Sequence, residues 1–123
     1  MEDSVNLTAS AAKYILKIYE TEKDTGVKAV ALAKALGYSR ASVCRMLYVL
    51  IFDGYAEKSD SGEVRLTRKG RESAEKLKRC VEIVADYLHK VFGCPENLAK
   101  ADAFGAVVNL SSATVEKILS KSF

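Results

Sequence analysis

Only one histidine, one proline and three cysteines occur in these 123 residues, and each scarcity removes a class of function. The cysteines, Cys44, Cys80 and Cys94, are odd in number and show no CxxC spacing. Neither a disulfide framework nor a zinc site follows from them. With His89 as the single imidazole, no metal cluster and no nucleophile–base pair emerges from the spacing, and no glycine-rich phosphate loop is present. An enzyme is therefore not expected, and no cofactor is. No apolar run approaches the roughly 20 residues of a membrane-spanning helix. The opening MEDSVNLTAS lacks the basic and apolar regions of a signal peptide. A cytoplasmic protein without a membrane partner is the expectation. There is no internal repeat and no low-complexity segment.

What is present has the balance of an ordinary soluble domain, with 49% hydrophobic and 28% charged residues. The length suits one domain, or a small domain with an appended dimerisation element. A net charge of +3 is mild, but it is unevenly spread. Residues 1–79 hold 15 Lys and Arg against 11 Asp and Glu, whereas residues 80–123 hold 4 against 5. The basic excess lies in the first part of the chain, where a phosphate-facing surface would need it.

That part contains the most informative stretch, residues 30–54, VALAKALGYSRASVCRMLYVLIFDG. It reads as two short helices joined by a turn at Gly37-Tyr38-Ser39. Leu32, Ala33 and Leu36 form an apolar stripe in the first, and Val43, Leu47, Leu50 and Ile51 form one in the second. Ser39, Arg40, Ser42 and Arg45 are left outside. This pattern suits a DNA-reading helix-turn-helix, and an ordinary αα-corner is the alternative. Cys44 is expected to face the core; a redox-sensing thiol would need to be exposed with a lowered pKa.

Around this stretch the chain reads as follows. Residues 1–7 form a short tail, and Thr8 caps a helix with Ala11, Tyr14, Ile15, Ile18 and Tyr19 on one face, ending near Lys23-Asp24-Thr25-Gly26. Val30 and Ala31 are poor residues to begin the next helix, so packing must hold its start. After Gly54, two extended runs, 55–58 and 63–67, flank the turn Ser59-Asp60-Ser61-Gly62. Val64 and Leu66 should face inward. A hairpin in this place is the wing of a winged helix, or else a solvated charged hairpin; Arg65, Arg68, Lys69 and Arg71 would reach the DNA backbone.

Thr67 then caps a long helix reaching to about Phe92. Its apolar residues Ala74, Leu77, Val81, Val84, Leu88 and Val91 keep a 3-4 spacing, the mark of a helix packed along its length on another. The partner is intramolecular or a second subunit, and the little chain that remains favours the second subunit, with Leu77, Val81, Val84, Leu88 and Val91 at the dimer contact. Pro95 opens a helix with Leu98, Ala99, Ala103, Phe104, Val107 and Val108 in a wide stripe. Ser111 or Ser112 caps a last helix with Val115, Ile118 and Leu119 inside, and the final Ser-Lys-Ser-Phe frays. His89 is expected at a surface or interface.

The segments LTASAAKYILKIYE, ALAKALGYSRASVCRML, GEVRLTRKGRESAEKL and the break at FGCPE resemble the diphtheria-toxin-repressor/manganese-repressor (DtxR/MntR) family over residues 7–119. The resemblance implies a mainly α fold with a small β-hairpin: a winged helix-turn-helix in residues 1–72, then a helical dimerisation domain in 73–123. It implies a homodimeric repressor activated by Fe(II) or Mn(II), here in the short form without an SH3-like domain. It also places Ser39, Ala41, Ser42 and Arg45 at or near double-stranded DNA; beside it, charge and position put Arg40 on phosphate and Arg65, Arg68 and Lys69, around the wing, on the backbone.

The family's metal ligands are replaced. Lys13 stands where relatives have Met or Asp before the Tyr, and Leu16 where manganese-sensing members have Glu. Val81 and Ala85 replace a His and a Glu, Phe104 a Cys or Glu, Val107-Val108 a Glu-His pair, and Lys100 a further His. None of these offers a donor at neutral pH. A metal-independent regulator is therefore expected, with Lys13 either exposed or paired with a carboxylate such as Asp102. Two other readings stand beside it. One is a regulator controlled by a small organic ligand or protein partner, with a pocket among the helices after Gly93. The other is a winged-helix interaction module that does not bind DNA.

Overall fold

The computed structural model describes residues 7–22 and 24–121. Of the expected tail only Leu7 falls within them, and Lys23, Ser122 and Phe123 lie outside. The helix α1 (Ala9–Thr21) starts where Thr8 Oγ1 accepts the Ala11 N–H at 3.1 Å. Among the described residues no helix is long and apolar enough to cross a membrane.

Two compact units make up the chain: Lys13–Ala74, and a second that joins the start of α1, through Ala12, to the residues from Glu75 onward. The division therefore falls inside the long helix, two residues later than the sequence suggests. In addition, the first turn of α1 goes with the second unit.

In the first unit, α1 leads to a short strand β1 (Val27–Lys28), then α2 (Ala29–Leu36) and α3 (Arg40–Phe52), then the hairpin β2 (Ala56–Lys58) and β3 (Glu63–Leu66). β1 was not anticipated, because two residues carry no alternation to read. It completes an antiparallel sheet of order β1-β3-β2, with Val27 opposite Val64 and Lys28 opposite Glu63. This pairing answers the question of how α2 begins. Its N-cap, Lys28, makes no side-chain capping bond, and the strand fixes the backbone instead. Val64 and Leu66 are buried as expected, with Ile15, Ile18, Leu32, Val43 and Leu50 among the most enclosed side chains.

The long helix α4 (Arg68–Phe92) begins as its sequence predicts. Thr67 Oγ1 accepts the Gly70 N–H at 3.1 Å and donates to the Gly54 carbonyl at 2.6 Å. Gly70 has a steric reason to be glycine. A Cβ there would lie 2.0 Å from the Tyr55 carbonyl oxygen, so α4 could not approach the hairpin so closely.

In the second unit the seam of α4 is not uniform. Leu77, Cys80 and Val81 are buried, Val84 and Leu88 are half-buried, and Val91 is 55% exposed. Leu77 and Val81 are therefore already covered within one chain and have little area to offer a second copy. Of the expected dimer-contact residues, Val84, Leu88 and Val91 keep more exposed surface. Burial also pushes the Cys80 thiol pKa upward.

Following α4, Pro95 is the N-cap of α5 (Glu96–Val107), which buries Ala99, Ala103 and Val107. Leu98 is exposed and Phe104 and Val108 are half-buried, so the apolar stripe is narrower than expected. Ser111, rather than Ser112, caps α6 (Ser112–Ser120), and a Lys76–Glu116 ion pair at 2.9 Å joins α6 to α4. His89 packs against the following turn, with Nδ1 2.7 Å from the Cys94 carbonyl oxygen and Nε2 3.8 Å from Glu96.

Candidate nucleic-acid interface

The turn between α2 and α3 is built from three residues with separate tasks. Gly37 adopts a left-handed φ of 73° and donates its N–H to the Ala33 carbonyl at 2.9 Å, ending α2. Tyr38 points back toward α1, where Lys13 Nζ donates to its hydroxyl at 2.8 Å and the Tyr14 ring lies 5.9 Å from its own. Burial first, and Tyr38 second, raise the Tyr14 phenol pKa, against the opposing influence of Lys13. Ser39 starts α3 by accepting the Ser42 N–H at 3.1 Å. Lys13 is thus exposed but partnered by a phenol within its own unit.

The helix α3 buries Val43, Leu47 and Leu50 and turns Arg40, Ala41 and Arg45 to solvent. Neither guanidinium has an ion pair or hydrogen bond among the described residues. Ser39 also donates to Ser42 Oγ at 3.0 Å, so Ser42 keeps its own O–H to give elsewhere. Cys44 is exposed, contrary to expectation. It lies one residue beyond Val43, about 100° around the helix, and joins the outer face instead. Further along that face, Tyr48 at 76% and Phe52 at 86% are exposed, as is Val49. The C-terminal half of α3 is therefore apolar on its outside, a feature the sequence reading passed over.

The cations around the hairpin are differently placed. Arg65 reaches the Asp24 carbonyl through Nη1 at 3.3 Å and lies 4.0 Å from Glu57. Arg68 pairs with Glu72 at 3.4 Å while remaining almost wholly exposed, and such a surface pair is readily exchanged. Lys69 donates to the Asp53 carbonyl at 3.0 Å and sits 4.3 Å from the Tyr55 ring centre, fastening the end of α3. Arg71 is bound to Glu22 at 2.6 Å, and the other Glu22 oxygen accepts the Leu66 N–H at 3.0 Å. Glu22 was missed because nothing in its sequence neighbourhood marks a carboxylate that reaches the Leu66 N–H and Arg71.

A groove of about 540 Å³ opens between the start of α2, the outer side of α3 and the hairpin tip. Lys28, Arg40 and Lys58 stand around it, with Val30, Cys44, Leu47 and Tyr48 in its lining. Lys28 and Lys58 were not singled out from the sequence. The missing cap at the start of α2 was the one available sign.

At the positions where the resemblance expects metal ligands, the side chains do not fit Fe(II) or Mn(II). Val81 and Val107 are buried hydrocarbon, Leu16, Ala85, Phe104 and Val108 add no donor, and Lys13 is bonded to Tyr38. Lys100 is exposed. Among the described residues no three His, Cys, Asp or Glu side chains come together as a metal site would require.

A helix-turn-helix followed by a hairpin, whose second strand also pairs with the short strand before α2 in one three-stranded sheet, defines a winged-helix fold, here continued by helices. No protein-family model and no curated protein matches the chain. Solved structures do match in fold, and several of them are DtxR/MntR-family metal-dependent transcriptional regulators. The chain is similar to the metal-dependent transcriptional regulator MtsR, with a TM-score of 0.77 and 19% identity over 93% of this chain and 54% of that one. It is similar to the manganese regulator SloR, with a TM-score of 0.74 and 22% identity over 89% and 52%. It thus spans about half the length of these regulators. A hypothetical protein from Sulfolobus solfataricus, SSo2273, matches with a TM-score of 0.75 and 20% identity over 93% of this chain and 88% of that one.

Proposed function

We propose that this protein is a homodimeric, sequence-specific DNA-binding transcriptional repressor that acts without Fe(II) or Mn(II) in the cytoplasm. The observation that carries the reading is the pair of exposed guanidinium groups, Arg40 and Arg45, on the first two turns of α3, neither with a partner among the described residues. With that end of α3 in the major groove, Arg45 reads guanine through a bidentate contact and Ala41 presents a methyl to thymine. Arg40 and the Ser42 hydroxyl hold phosphate, as do Arg65 and Arg68 beside the hairpin. Ser39 acts by shaping the helix start. Metal independence rests on the replaced donors, which supply no ligand for either ion. Dimerisation rests on the uncovered part of α4, where Val84, Tyr87 and Val91 line an open groove with Ile118.

The exposed Tyr48, Val49 and Phe52 favour a second reading, a winged-helix module that binds protein through α3. Selection of sites from a random duplex pool, in EDTA and in Mn(II) or Fe(II), separates the two. A palindromic motif recovered equally under all conditions is the expected outcome. Recovery only with metal overturns metal independence. No motif under any condition overturns DNA reading and leaves the interaction module.

A further inference from the structure

We propose that the groove between α2, α3 and the hairpin tip binds a small organic anion with a flat apolar body, an aromatic carboxylate in chemical class, and that its occupancy excludes DNA. The exclusion rests on the DNA-binding reading; the site itself does not.

Charge complementarity identifies the head group. Lys28, Arg40 and Lys58 all border the groove, no acidic residue lines it, and none of the three cations has a partner among the described residues. The first turn of α2 adds to this positive rim, because its N–H groups meet no side-chain cap and no acidic residue. The body of the ligand follows from the rest of the lining. Ala29, Val30, Leu47, Ile51 and Val64 make a hydrocarbon floor, and Tyr48 offers a ring beside it.

A DNA backbone would satisfy the cations but has no apolar body for that floor. An apolar surface with a few convergent charges, in a volume of about 540 Å³, is the form of a small-molecule site. Arg40 belongs to both the groove and the proposed DNA surface. A carboxylate bound there removes a phosphate contact and places a bulky group against α3. This would give the protein an effector in place of the metal. It would also put that effector on the DNA-binding unit, not among the helices after Gly93.

The test uses the full chain and 2-naphthoate, with 2-naphthylmethanol as the neutral counterpart. In 1H–15N correlation spectra, 2-naphthoate is expected to shift the amides of Ala29, Val30, Cys44 and Tyr48 together and saturably. The neutral compound should bind about tenfold more weakly, as loss of charge-assisted bonds implies. The double variant K28A/K58A should bind 2-naphthoate at least about fivefold more weakly with the rest of its spectrum unchanged. Equal affinity for the neutral compound, shifts confined to α4 and α6, or an unaffected double variant would each overturn the site. If a short duplex moves these amides and 2-naphthoate does not, the groove belongs to the DNA backbone and the proposal fails. Displacement of a selected duplex by 2-naphthoate is expected, and simultaneous binding would overturn the exclusion. A chain that binds no duplex would sink the DNA reading, while the spectra would still decide the site.

Discussion

The cations of α3 and those around the hairpin come from one basic stretch of sequence, yet the fold uses them in opposite ways. Arg40 and Arg45 stand in solvent with no partner among the described residues. Lys69 and Arg71 already have partners within the protein, the Asp53 carbonyl and Glu22. Arg65 and Arg68 lie between, held by contacts weak enough to exchange for phosphate. A count of positive charges therefore overstates the surface available to an anion. Availability depends on whether a carbonyl or carboxylate lies within reach, which only the tertiary structure settles.

Arg71 is where the largest effect is expected. Its carboxylate partner Glu22 is only 8% exposed in its side chain, while Arg71 itself is 40% exposed. Removing one member of a half-buried pair leaves the other uncompensated, though solvent on the Arg71 side reduces the penalty. Arg71→Ala is expected to lower unfolding stability in urea by roughly 1–3 kcal/mol. A folded variant of unchanged stability but weakened DNA binding would place Arg71 among the free cations and break the contrast.

Arg45→Ala and Lys69→Ala should then separate the two classes at smaller amplitude. Arg45→Ala should leave stability within about 0.5 kcal/mol, as for an exposed residue without partners. It should cost about 1–3 kcal/mol of discrimination at one base pair of the preferred site. Lys69→Ala should cost about 1 kcal/mol of stability through the lost carbonyl bond and ring contact. Its effect on the salt dependence of DNA affinity should be below the slope change of about 1 that a true phosphate contact gives. The reverse assignment of effects would show that the resting structure misrepresents what each cation does on DNA.

Much of the frame was legible because it is local. The Thr8 and Thr67 caps, the Gly37 turn and the inward Val64 and Leu66 all follow from residue type and short-range spacing. What escaped was set by partners distant in sequence. β1 exists because Val27 meets Val64, and Glu22 matters because Arg71 and the Leu66 N–H arrive from across the sheet. Cys44 was misplaced by the width of one helical step. The seam of α4 was read as one surface because a spacing pattern reports which side is apolar, not how far along it the chain covers itself. The groove at Lys28 and Lys58 was invisible for the same reason: its walls come from three separate elements.

The smallest effect tests the other end of the comparison, a polar group that is neither free nor engaged. Ser73, one turn beyond Lys69 on α4, is 0% exposed, and its hydroxyl has no hydrogen-bond partner among the described residues. An exposed guanidinium without a partner is hydrated and costs nothing, whereas a buried hydroxyl without one has lost its water for no return. Ser73→Ala removes that oxygen, leaves only a small void and improves helix propensity. The variant should therefore be more stable in urea by about 1 kcal/mol, with DNA affinity unchanged. A loss of stability would instead mean that the hydroxyl holds an acceptor in solution. Partnership, more than burial or charge, would then set the value of every polar group on this helix.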